Sequence, residues 1–184
     1  MVIVDTFAVI DQALYAVKFE GEGEDELDRT FNQWNDPLQL HDFFSNHIDD
    51  LNSGFFGTVS IQDAVRITRE EAKVLQKELY RLAKEGLSGS AGNLSQLFKP
   101  LTKGEIGSAY ERDKAYGLNH KSWLRLYAIR INVNVFVICG SAIKLTETMN
   151  DREHLMTELK KLEIARNYLI TDDTHSDFFY ELSL

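Results

Sequence analysis

Residues 123–149, WLRLYAIRINVNVFVICGSAIKLTETM, constrain the fold more than any other stretch of the chain. In WLRLYAIRI, Trp123, Arg125, Tyr127, Ile129 and Ile131 point one way, and Leu124, Leu126, Ala128 and Arg130 the other, the period of two of a β-strand. NVN reads as a turn, VFVIC as an apolar buried strand, Gly140 as a break and AIKL as a third strand, so this part of the chain predicts a three-stranded antiparallel meander. Arg125, Arg130 and Lys144 are unusual passengers in such a sheet. Basic residues there either discourage edge pairing and meet acidic helices, or grip something negative.

The remaining text supplies helices and one more strand. ALYAVKF at residues 13–19 has the β-branched and aromatic content of a strand, and the charged, glycine-broken EGEGEDELD follows it. From 25 to 51 a helical pair is expected: Leu27, Phe31 and Trp34 share one face, and Pro37 opens a second helix with Leu40, Phe43, Phe44, His47, Ile48 and Leu51 on its apolar stripe. Thr68 with Glu71 reads as a capping box for a helix whose Ala72, Leu75, Leu79, Leu82 and Ala83 face inward and which Gly86 stops. Its charged face carries Lys73, Lys77 and Arg81. Residues 86–122, rich in glycine and serine, form a long loop region that is functional, disordered or home to small elements. Asn150 and Glu153 cap a final helix with Leu155, Met156, Leu159, Leu162, Ala165, Tyr168 and Leu169 inward. The expected architecture is α+β in a single domain over residues 1–184. A mostly antiparallel sheet, the N-terminal strand plus the C-terminal meander, is covered on one face by helices.

Composition narrows the function. A chain of 184 residues with 43% hydrophobic side chains has room for a real core, and its single cysteine, Cys139, sits in an apolar run as a small buried hydrophobe. No segment is apolar for long enough to span a membrane, and together with the lone cysteine this predicts a soluble cytoplasmic protein. The net charge of −9 argues against nucleic acid, yet residues 1–65 carry net −11, residues 66–130 net +6 and residues 131–184 net −4. Such polarity allows one basic and one acidic face, or segments that pair with each other.

Motifs of catalysis by cofactor or metal are missing. His41 and His47, six apart, do not share a helical face, and no HExxH, GKS/T or nucleophile elbow occurs. Asp172, Asp173, His175 and Asp177 are either a cation cluster or, the preferred reading, a polar linker; Phe178, Phe179, Tyr180 and Leu182 either pack on the sheet or form a partner patch. The expectation is no cofactor and no metal.

The order strand, helices, three-stranded meander, C-terminal helix, with the wording LRLYAIRI, NVFVICGSAIKLTETM and ELKKLEIARNYL, resembles the RelE/HigB/ParE superfamily of bacterial toxins, closest to the phage Gp49/HigB branch. The resemblance covers the last third and loosely the first strand, and it leaves the acidic helical segment at 20–65 as an insertion. It implies a RelE-like fold and the toxin of a toxin–antitoxin pair, an endoribonuclease cutting messenger RNA, in some members on the ribosome, with an antitoxin protein as partner. The alternative is a non-catalytic relative that binds a protein target. Cleavage by a ribose 2′-hydroxyl needs a proton acceptor, a cation for the phosphorane oxygens and an acid for the leaving oxygen. Arg125, Tyr127 and Lys144 are the catalytic candidates on this resemblance, and Arg130, Lys121, Lys73, Lys77 and Arg81 the RNA-binding ones. The chain departs from the family in being acidic, in having Leu145 where a second lysine is common, and in having no matching histidine after the last helix.

Overall fold

The computed structural model describes residues 1–106, 110–118, 121–147 and 152–171. Two N-terminal strands, β1 (Ile3–Ile10) and β2 (Leu14–Phe19), form a hairpin whose turn places Gln12 in the left-handed region. The Asp25 side chain then accepts the Leu27 and Asp28 N–H groups and starts α1 (Glu26–Asn35). Asp36 ends that helix and caps α2 (Pro37–Asn46), with Pro37 where its missing N–H costs nothing. After α3 (Ile48–Leu51) comes the long α4 (Ile61–Leu87), then β3 (Lys99–Pro100), β4 (Glu111–Tyr116), β5 (Leu124–Arg130), β6 (Phe136–Ile143) and α5 (Glu153–Thr171). The strands lie in the order β1-β2-β6-β5-β4-β3.

The α+β class stands, but the sheet is mixed rather than mostly antiparallel: β2 runs parallel to β6, pairing Leu14 with Phe136 and Ala16 with Ile138. The helices α1, α2 and α4 lie between these two strands in the chain and supply the long crossover that a parallel pair needs. Helices also occupy both faces. Leu14, Phe31, Trp34, Phe44, Leu75, Leu126 and Phe136 form one apolar layer with α1, α2 and α4, whereas Tyr15, Val17, Tyr127, Ile129, Val137, Leu155 and Leu162 form the other beneath α5.

The meander differs from its expected composition. β6 continues through Gly140 to Ile143, and the irregularity appears only as an extra residue, Cys139, between the Tyr127–Gly140 and Ala128–Ile138 pairs. Gly140 leaves room there for the Glu158 carboxylate of α5, whose Oε2 a Cβ would displace. The third meander strand is β4, upstream of β5 and inside the region read as loop. The capping box at Thr68 also fails: Ser60 caps α4, and Thr68 lies buried mid-helix, its hydroxyl donating to Ala64 O and accepting from Trp123 Nε1 at 2.9 Å. Trp123 therefore packs with α4, away from the face of Arg125. Gly86 lies within α4 rather than ending it, leaving space for the Asn134 side chain, and Met156 is largely exposed. Asn150, the run Asp172, Asp173, His175 and Asp177, and the tail Phe178, Phe179, Tyr180 and Leu182 lie outside the described residues.

Candidate functional site

Alternation along β5 does put Arg125 and Tyr127 on one face, the face that α5 covers in part, and carries Arg130 to the other. Ala142 of β6 stands opposite Arg125, and Lys144, two residues on, shares its face because its neighbours Ile143 and Leu145 pack into the layer of α1, α2 and α4. On the far side of β5, Tyr116 pairs with Arg125 and Lys114 with Tyr127, so β4 adds both to this face. The Arg125 guanidinium lies 4.1 Å from the centre of the Tyr116 ring and Lys114 Nζ 5.8 Å from it.

The result is a basic patch of Lys114, Arg125 and Lys144 around Tyr116, which is 38% exposed. Burial, with Arg125 and Lys114 nearby, lowers the Lys144 pKa, and burial lowers that of Arg125. Arg125 Nη1 donates to the carbonyls of Ser122 and Leu124 at 2.8 and 2.7 Å, which fixes the guanidinium plane, while Lys144 Nζ donates to Glu147 O at 2.7 Å. Among the described residues none of the three cations forms an ion pair. A planar, clamped guanidinium with its remaining N–H groups uncommitted, flanked by two ammonium groups and an exposed ring, suits a phosphodiester with an adjacent base.

Tyr127 is fully buried, and desolvation raises its hydroxyl pKa, so its ring supports the patch from below and meets no solvent. The other basic candidates lie elsewhere. Arg130, on the opposite face, donates to Ser95 Oγ at 2.6 Å and lies over Phe136. Lys121 sits over the rings of Phe55 and Phe56 and donates to Phe55 O. Lys73 and Lys77 project from the outer face of α4, where Arg81 pairs with Glu78 and Glu85, each at 2.6 Å. Lys114 and Tyr116 were missed because ERDKAY alternates without an apolar side: its inward residues are Glu111, Asp113 and Ala115.

A second polar assembly joins α1 to α5. Lys161 Nζ lies 3.0 Å from Glu26 Oε1 and 3.2 Å from Glu158 Oε1, and Arg29 pairs with Glu26 at 2.6 Å and reaches Glu158 at 3.7 Å. Two cations and two carboxylates cancel. Glu158 also accepts the Ser141 N–H at 2.9 Å, and burial raises its pKa despite both cations. No group of three or more His, Cys, Asp or Glu suited to a metal ion occurs among the described residues, and no helix of the described residues is long and apolar enough to cross a membrane. Compared with family models, with curated proteins and with solved structures, the chain matches none.

Proposed function

We propose that the protein is the toxin of a toxin–antitoxin pair that acts on RNA, binding a single-stranded segment on the patch of Lys114, Tyr116, Arg125 and Lys144. The observation that carries this reading is the clustering of three cations, without an ion pair among the described residues, around an exposed ring on one sheet face. The order of β2, helices, the β4–β5–β6 meander and α5 is the further support for the RelE/HigB-like class. In a cleavage reaction Arg125 would hold the phosphodiester oxygens. Lys144, whose charged form burial and the neighbouring cations disfavour, would serve as the proton acceptor in its neutral amine form. An antitoxin would silence the protein by covering the patch.

The burial of Tyr127 favours a second reading, in which the same surface binds RNA without cutting it. Induced expression in a bacterial host, wild type against Arg125→Ala and Lys144→Ala with mapping of RNA 5′ ends, separates the two. Growth arrest with new ends that both substitutions abolish supports cleavage. Arrest without new ends supports binding alone, and absence of arrest from well-expressed protein removes the toxin reading.

A further inference from the structure

Beyond Ile138 the edge of β6 loses its strand partner, because β2 pairs only with residues 136–138. The exposed edge can be read from its hydrogen bonds. Lys144 N–H turns toward β5, to Trp123 O, whereas Ser141 N–H turns outward to Glu158 and Ile143 O outward to His154 Nε2 at 3.3 Å. By the same alternation the Ser141 carbonyl and the Ile143 N–H also face outward. Both residues are only 7% exposed, yet neither of these two groups has a partner among the described residues. Buried main-chain groups are nearly always paired, so an acceptor and a donor left open side by side mark a place for a ligand.

Ser141 and Ile143 line a cleft of about 320 Å³ between β6, α1, α2 and α5, walled also by Trp34 and Phe43, with Gln33 at its side. That volume falls at the small end of ligand pockets. Its charges are already spent: Arg29 on Glu26, Gln33 and Glu158, and Glu158 on Lys161 and Ser141. An ionic ligand would meet its own charge beside its counter-charge, so the occupant is neutral.

We propose that this cleft binds a planar lactam, a ring bearing an N–H beside a C=O, whose N–H donates to the Ser141 carbonyl and whose C=O accepts from the Ile143 N–H. Uracil, thymine and guanine present that edge. The site is separate from the basic patch and stands whether or not the patch binds RNA. The lactam is either a free small molecule or a base of a nucleic-acid chain, and the recognition chemistry is the same.

The test is titration of isotope-labelled whole protein with 1-methyluracil, following backbone amide resonances. The Ile143 amide should move downfield with its neighbours at 141 and 142, and 1,3-dimethyluracil, which lacks the N–H, should bind about tenfold more weakly. Changing the ligand rather than the protein keeps folding out of the comparison. A short oligouridylate that moves the same amides at lower concentration identifies the source as a chain, and one that moves only the amides at 114–116 and 125 identifies it as a free molecule. Unmoved resonances at 141–143 at millimolar 1-methyluracil, or equal affinity for the two ligands, overturn the proposal.

Discussion

Lys161→Met tests the junction of α1, α5 and β6. The Lys161 and Glu26 side chains are 8% and 1% exposed, and the ammonium group bridges Glu26 and Glu158. Methionine keeps the length of the side chain and removes its charge, leaving two buried carboxylates to share Arg29. Removing one member of a buried ion pair costs about 3–5 kcal/mol, and because Arg29 still touches both carboxylates the low end applies, about 3 kcal/mol. At about 2–4 °C per kcal/mol for a chain of this size, the midpoint of thermal unfolding should fall by about 6–12 °C. The pH dependence has a definite sign. The Glu158 pKa already lies above the ordinary carboxylate value because burial penalises its charge, so the folded state holds this proton more tightly than the unfolded one. The penalty on the charged carboxylate is therefore relieved as pH falls through the raised folded value. Loss of Lys161 raises that value further, and the deficit of the variant should shrink between neutral and mildly acidic pH. Urea denaturation of both proteins at the two pH values measures it. A deficit below about 1 kcal/mol, the range of exposed pairs, or one that grows on acidification would refute the reasoning.

Other outcomes follow from buried contacts. Thr68→Val removes the acceptor of the Trp123 indole N–H in a buried setting and should cost about 1–3 kcal/mol in urea denaturation, with a change in tryptophan emission before unfolding. Cys139 is fully buried with its thiol pKa raised, so it should react with a thiol reagent at mildly alkaline pH only as fast as the protein unfolds; immediate labelling of the native protein would contradict its placement.

The parts of the fold that were legible in the sequence were those set by local chemistry. The proline opening of α2, the Leu27–Phe31–Trp34 stripe and the alternation of β5 are all decided within a few residues. β1 was not legible, because Asp5 interrupts its apolar run and its outward residues Val4 and Phe7 are exposed. Thr68 and Glu71 match a capping box in text, but the capping hydroxyl comes from Ser60, and the two serve instead as partners for Trp123 and Ser122, more than fifty residues away. Mistakes about the site have the same origin. Alternation placed Tyr127 beside Arg125 correctly, but whether that face is open depends on where α5 lies, and α5 covers Tyr127. Lys114 and Tyr116 enter the patch through a strand register that no local pattern announces.

The central claim is that Lys114, Arg125 and Lys144 contact the backbone of RNA. The most direct measurement is the affinity for a fluorescently labelled single-stranded RNA as a function of salt concentration, wild type against the triple variant Lys114→Ala, Arg125→Ala, Lys144→Ala. Three phosphate contacts on a single strand give a log–log slope of about −2, and each cation removed should lower its magnitude by about 0.7 until binding is lost in the triple variant. Binding that keeps its affinity and slope in the triple variant, or the absence of RNA binding by the wild type at low salt, would contradict the account.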